Sequence, residues 1–124
     1  MLTFNLKKEW FDKIKSGEKT HEYREVKYHW TTRFVKEFYK LKSREDHKTF
    51  LGVFLAMLRT GFAYKPLPGE IVKIRFMNGM RSEKDSPRMY AILKTVNIVD
   101  GKKTDLKFDG EVYDIEFELI KEGK

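Results

Sequence analysis

The hydrophobic pattern of the first thirty residues changes its period twice. Apolar and polar side chains alternate from Leu2 to Leu6, which is the period-two pattern of a half-buried strand. Apolar residues then recur at helical spacing as far as Ile14, and Gly17 follows where a left-handed residue commonly ends a helix. β-Branched and aromatic residues from Thr20 to Val26 favour a second strand. We therefore expect a strand, a short helix with Asn5 as its N-cap, and a second strand.

The next segment, residues 28–61, is typical of two helices. Apolar positions recur at helical spacing in both of its halves, and Thr31 or Thr32 is placed to cap the first helix. Ser43, with Asp46 three residues later, resembles a capping box at the start of the second helix. The pattern thus predicts a helical insertion between the second strand and the rest of the chain.

The chain after Pro66 and Pro68 favours extended structure. Three runs rich in β-branched and aromatic residues are separated by Asn-Gly, Ser-Pro and Asp-Gly turn sequences, and these runs are Ile71–Phe76, Met89–Val99 and Val112–Ile120. Five or six short strands with helices gathered on one side predict an α+β fold, built as a small curled sheet or partly open β-barrel.

Composition fits a single packed domain over residues 1–124. Of these 124 residues, 40% are hydrophobic and 15% aromatic, enough apolar material for one core. The absence of cysteine excludes disulfides, thiolate metal ligands and cysteine nucleophiles. No apolar run has the length of a signal sequence or of a membrane span. We therefore expect a cytoplasmic globular protein with no membrane partner.

The net charge of +7 favours anionic partners such as nucleic acid or nucleotides. Residues 27–48 concentrate part of this charge, with seven Lys or Arg against three acids, and they also contain Tyr28 and Trp30. Aromatic rings beside cations can stack on bases while the cations contact phosphates. Phe34 and Phe38 lie at helical spacing and are assigned to the core, so Tyr28 and Trp30 remain as candidate ligand-binding rings.

The strongest candidate site is the charged stretch from Gly17 to Arg24. In a strand, residues two apart share a face, so Glu22 and Arg24 can pair directly. Lys19 can join them only from the turn that follows Gly17, or if a bulge resets the alternation; we expect the turn. The cluster is either a solvated ion pair or a concave site in which Lys19 and Arg24 contact ligand oxygens and Glu22 accepts from amino groups.

The residues Gly17, Lys19, Glu22 and Arg24 resemble the G-x-K-x-x-E-x-R signature of the ASCH domain family, a branch of the PUA-like superfamily linked to RNA. The flanking order of strand, helix and strand is similar as well, and the likeness extends over most of the chain except the insertion. It implies a small PUA-like β-barrel of five or six strands with a short N-terminal helix, and a cleft beside that helix. In this cleft Lys19, Glu22 and Arg24 would bind RNA or a nucleotide, and Tyr28 and Trp30 are the further candidate ligand-binding residues.

The same resemblance implies an alternative activity. Some bacterial relatives are amidohydrolases that deacetylate acetylated cytidine, using a lysine at the position of Lys19 and a threonine where this chain has Glu22. If the protein is a hydrolase of this kind, Lys19 would be the activated base or help the nucleophile, and Glu22 would move protons. We expect two cations beside Glu22 to keep it ionised.

Other candidates are weaker. The three histidines His21, His29 and His47 have no metal-ligand spacing, so we expect neither a metal nor another cofactor. A third possible role is a protein-interaction domain whose helical insertion presents apolar side chains to a partner, namely Phe50, Phe54 and Met57. A second basic wall beside a hairpin loop is also possible, formed by Arg75, Arg81, Lys84 and Arg88.

Overall fold

The computed structural model describes residues 1–79 and 86–121 and shows an α+β fold. These residues contain five strands, three helices and one short 3-10 turn. The elements are β1 (Leu2–Leu6), α1 (Lys8–Lys15), β2 (His21–Glu25), α2 (Tyr28–Tyr39), α3 (Arg44–Arg59), β3 (Lys73–Asn78), β4 (Arg88–Asp100), the 3-10 turn Gly101–Lys103 and β5 (Glu111–Leu119). The predicted fold class and the order of elements are confirmed.

The five strands form one sheet in the order β1-β3-β4-β5-β2. β1 runs parallel to β3, and the remaining neighbours are antiparallel. The sheet curls strongly into a half-barrel, so the expected barrel is only partly closed. Its two edges, β1 and β2, flank the opening. The motif residues Glu22 and Arg24 therefore lie on an edge strand, beside the gap in the barrel.

The core lies between the concave face of the sheet and the helices. Phe34 of α2 and Phe54 of α3 are fully buried, and both rings contact Tyr113 of β5, at centroid distances of 4.8 and 6.4 Å. The Tyr113 hydroxyl is hydrogen-bonded to Thr31 in the first turn of α2, and burial raises the pKa of Tyr113 to about 12. The helical insertion is therefore fastened to the sheet by aromatic packing and by one buried hydroxyl pair.

Two predicted helix caps are wrong. Asn5 does not cap α1, because it belongs to β1 and the N-cap position is Lys7. α2 begins at Tyr28, after Lys27, and so includes both threonines that were expected to cap it. Thr31 instead donates its hydroxyl to the carbonyl of Lys27, a bond made inside the first helical turn.

The other predicted helix boundaries are confirmed. The Ser43 hydroxyl accepts a hydrogen bond from the backbone N–H of Asp46, 3.1 Å away, at the start of α3. Gly17 has a positive φ of 85° immediately after α1, and its N–H donates to the carbonyl of Ile14. The predicted Asp100-Gly101 and Asp109-Gly110 turns enclose a loop, residues 101–110, whose ends are joined by a hydrogen bond from Gly101 N–H to Gly110 O.

Candidate functional site

The turn after α1 places Lys19 beside the second strand. Its backbone N–H donates to the carbonyl of Lys13 in the last turn of α1, at 3.0 Å. β2 begins only at His21 and pairs with β5 without a register shift. Lys19 thus lies in the turn that Gly17 permits, as predicted, and no bulge is needed to bring it near Glu22 and Arg24.

Glu22 and Arg24 form the predicted ion pair on one face of β2. Both the Nε and the Nη2 of Arg24 contact Oε2 of Glu22, at 2.8 and 2.7 Å. The Glu22 side chain is only 8% exposed, whereas that of Arg24 is 23% exposed. This is a largely desolvated pair rather than the solvated surface pair that the sequence also allowed.

Burial raises the pKa of the Glu22 carboxyl above its ordinary value, although the charges of Arg24 and Lys19 act to lower it. Desolvation thus outweighs the attraction of the two cations that were expected to keep this group ionised. A carboxyl with a raised pKa can exchange protons closer to neutrality than an ordinary glutamate can.

Arg24 also reaches across the opening of the half-barrel. Its Nη2 donates to the backbone oxygen of Asn5 on β1, 3.1 Å away. The guanidinium lies 5.2 Å from the ring centre of Phe4 and 5.1 Å from that of Trp30, within the range of cation–π attraction. One side chain thus joins the two unpaired sheet edges and supports an aromatic wall.

The ammonium group of Lys19 is enclosed on three sides. It lies 5.1 Å from the Trp10 ring centre and 5.0 Å from that of Tyr23, and its Nζ is 2.7 Å from Oδ2 of Asp105. The Lys19 side chain is 9% exposed. Asp105 lies in the 101–110 loop and was not predicted, because only the turn sequences at the ends of that loop are visible in the sequence.

Lys19, Glu22, Arg24 and Trp30 line one open cleft of about 760 Å³. This volume falls within the roughly 300–1,000 Å³ typical of small-molecule sites. Tyr28 does not line the cleft; its side chain is 72% exposed at the start of α2. The rest of the lining combines aromatic rings with charged side chains from α1, β2 and the 101–110 loop, chiefly Lys7, Trp10, Tyr23, Glu25, Lys27, Asp105, Lys107, Phe108 and Asp109.

The charges of the cleft nearly balance. Three of its cations are matched by carboxylates, in the pairs Lys19–Asp105, Arg24–Glu22 and Lys27–Glu25. Lys7 and Lys107 also line the cleft and have no ion-pair partner among residues 1–79 and 86–121. A ligand that enters would therefore meet hydrogen-bonding groups that already have partners and two cations that do not.

A histidine–aspartate pair lies beside the cleft. Nδ1 of His21 is 2.6 Å from Oδ1 of Asp114 on β5, and the His21 ring stacks on Tyr23 at 6.2 Å. His21 lines a smaller recess of about 260 Å³ that shares Lys19, Tyr23 and Asp105 with the cleft. Asp114 fixes the orientation of this ring, and Nδ1 is the nitrogen it engages.

The remaining sequence candidates that the structure describes do not line this cleft. Arg81 and Lys84 lie outside the described residues, and Arg75 and Arg88 are half-buried side chains of β3 and β4. No group of three or more potential metal ligands occurs in the part of the chain that the structure describes. Over the same residues, no helix has the length and apolar character needed to cross a membrane.

The insertion does not offer all three apolar residues to a partner. Phe54 is fully buried among Phe34, Phe38 and Tyr64, so its proposed surface role is wrong. Phe50 is half-buried against Tyr39, with ring centres 5.1 Å apart, and Met57 is also half-buried. The helical spacing of these apolar residues, which suggested a surface for a protein partner, mainly reflects packing in the core.

Fold and site together define an α+β half-barrel domain with a charged, aromatic-walled cleft between its two sheet edges. Comparison with models of known protein families, with curated proteins and with solved structures gives no significant match.

Proposed function

We propose that this protein is an RNA- or nucleotide-binding domain of the ASCH type, a PUA-like fold that uses the cleft beside α1. The observation that carries the proposal is the meeting of Lys19, Glu22 and Arg24 in one cleft walled by aromatic rings. With Gly17, these three residues make up the motif on which the resemblance rests. Removing a carboxylate and an ammonium group from water costs free energy, so the low exposure of Glu22 and Lys19 distinguishes this cluster from ordinary charged residues on a surface.

The groups in the cleft suit a nucleobase better than a chain of phosphates. The Trp10, Tyr23 and Trp30 rings provide flat apolar surfaces, and base–aromatic stacking contributes about 1–3 kcal/mol per base. Glu22 can accept hydrogen bonds from the amino group of a base, while Lys19 and Arg24 donate to carbonyl oxygens. The near balance of charge leaves only Lys7 and Lys107 for a phosphate group.

The proposal is tested by isothermal titration at low salt with the four nucleoside monophosphates. We expect at least one to bind, and Lys19→Gln to weaken that binding at least tenfold. Lys15→Gln is the matched control, because Lys15 is an exposed cation of α1 that does not line the cleft. Circular dichroism and thermal melting establish that both variants are folded. The absence of binding to any nucleotide or RNA by the unaltered protein would contradict the proposal.

A second candidate is a hydrolase that acts on an acylated nucleoside such as acetylated cytidine. The raised pKa of Glu22 favours it, because a buried carboxyl beside Lys19 can carry a proton. Water would add to the acyl carbonyl carbon, the bond from that carbon to the amino nitrogen would break, and the nitrogen would take up a proton. The products would be cytidine and acetate.

This second candidate is tested by incubating N4-acetylcytidine with the pure protein and following cytidine by chromatography. We expect turnover to be lost in Lys19→Gln and in Glu22→Gln, and kept in Lys15→Gln. If the protein shows no turnover above that of Lys19→Gln, the hydrolase is excluded and binding alone remains.

A further inference from the structure

Three basic side chains lie along the outer face and at the C-terminal end of α2. Arg33 and Lys36 are three residues apart in α2 and so project from the same side of the helix, and Lys40 is the left-handed C-cap residue that follows Tyr39. All three are exposed, and they line an open recess of about 520 Å³ together with Met1, Leu2, Glu37 and Leu41. The recess is separate from the cleft, with which it shares no lining residue.

Positive charge dominates this recess. Its one carboxylate, Glu37, contacts the amino group of Met1 at 3.0 Å and Nζ of Lys40 at 3.5 Å. Across the described ranges, Arg33 and Lys36 make no ion pair. This contrasts with the cleft, where most cations are matched by a carboxylate. The recess therefore suits a negatively charged group, such as a phosphate, better than the cleft does.

Trp30 connects the two surfaces. Its ring lies 5.6 Å from the Arg33 guanidinium and 5.1 Å from that of Arg24, which belongs to the cleft. Trp30 also lines the cleft, as does Lys27 just before the helix begins. A ligand that leaves the cleft over Trp30 would meet Arg33 first, and then Lys36 and Lys40.

The chemistry of α2 favours nucleic acid over a membrane surface. Its apolar side chains are already buried in the core, namely Phe34, Val35 and Phe38, so the helix has no free apolar face to insert into lipid. From Arg33 to its last residue, Tyr39, α2 rises about 9 Å, which is close to three steps of a stacked strand at roughly 3.4 Å each, and Lys40 follows at the helix end.

We propose that Arg33, Lys36 and Lys40 form a phosphate-binding track, and that the ligand is a single-stranded nucleic acid with one nucleotide in the cleft and its neighbouring phosphates on α2. The proposal rests on the function proposed above for the cleft, and it assigns a role to the helical insertion. A mononucleotide would occupy only the cleft, whereas an oligonucleotide would occupy both surfaces.

The test compares a nucleoside monophosphate with a single-stranded RNA octamer of mixed sequence, by titration at several salt concentrations. We expect the octamer to bind more tightly and with a steeper salt dependence. The triple variant Arg33→Gln, Lys36→Gln, Lys40→Gln should lower octamer affinity about 10- to 100-fold at 0.1 M salt. It should also reduce the slope of log affinity against log salt by about 2, at roughly 0.7 per lost phosphate contact. Its mononucleotide affinity should be unchanged.

The matched control removes the same charge elsewhere on the exposed surface, with Lys65→Gln, Lys94→Gln and Lys121→Gln. If both triple variants reduce the slope equally, or if the octamer binds no tighter than the mononucleotide, the track is overturned while the cleft proposal stands. Equal binding to vesicles of anionic lipid would also overturn the track, since it would show a general attraction to polyanions. Loss of binding to every nucleotide would instead contradict both proposals.

Discussion

Arg24 on β2 and Asn5 on β1 are joined by a hydrogen bond of 3.1 Å across the open side of the half-barrel. These strands are the two edges of the sheet, with three strands between them. Arg24, the last residue of the motif, thus also links the two sheet edges that form the walls of the cleft. The proposed binding site and the closure of the sheet therefore depend on the same side chain.

Replacing this arginine should destabilise the protein. Arg24→Ala removes the link to Asn5 and leaves Glu22 as a buried carboxyl without its partner. We expect the free energy of unfolding to fall by about 2–4 kcal/mol, measured by urea denaturation at pH 7. Adding Glu22→Gln to this variant should recover part of the loss, because an uncharged amide is cheaper to bury than a carboxylate.

The control for this experiment is Arg59→Ala. Arg59 pairs with Glu111 through three contacts of 2.8 to 3.2 Å, but both side chains are about half exposed. Such a pair contributes roughly 0–1 kcal/mol. An equal loss in the two variants would contradict the special role of Arg24.

Removing the charge of Asp105 should strengthen ligand binding. Its carboxylate lies 2.7 Å from the ammonium nitrogen of Lys19, so a ligand oxygen that binds this ammonium group must displace the carboxylate. We expect Asp105→Asn to raise nucleoside monophosphate affinity about 3- to 10-fold, or about 0.6–1.4 kcal/mol, by titration. Asp109→Asn is the control, since Asp109 also lines the cleft but pairs with Lys102. Weaker binding in Asp105→Asn would show that Asp105 orders the site rather than blocks it.

The raised pKa of Glu22 predicts a pH dependence of stability. Between the ordinary value of 4.5 and the higher folded value, the folded state binds more protons than the unfolded state does. The contribution of Glu22 is therefore fully present below pH 4.5 and is lost as pH rises through the folded pKa. Compared with Glu22→Gln, the unaltered protein should lose stability from pH 4.5 upward in urea denaturation. A relative gain would mean that attraction to Arg24 outweighs burial.

Two glycines should respond to alanine in opposite directions. A Cβ at Gly101 would lie 2.5 Å from the backbone oxygen of Phe108, at the base of the loop that carries Asp105. Gly101→Ala should therefore cost about 1–3 kcal/mol in thermal or urea unfolding. Gly52 lies inside α3, and a Cβ there meets nothing within 4 Å. Gly52→Ala should stabilise by about 0.5–1 kcal/mol. Equal changes in the free energy of unfolding of the two variants would contradict the close approach at Gly101.

The elements of the fold were largely predictable, because each depends on local periodicity. Strand parity alone placed Glu22 beside Arg24, and the glycine after α1 placed Lys19 in the turn. The helix caps were less predictable. Thr31 has the side chain of a capping residue, but its hydroxyl bonds back to the preceding turn and to Tyr113, a partner distant in sequence.

The sequence by itself thus determined the strands and helices, the basic charge, the pairing of Glu22 with Arg24 on β2 and the place of Lys19 in the preceding turn. Only the tertiary structure decided what surrounds those residues. Asp105 meets Lys19 across 86 positions of sequence, and Asn5 meets Arg24 because the sheet curls until its edges approach. Local patterns specify which face a side chain occupies, whereas burial and long-range partners depend on how the whole sheet closes.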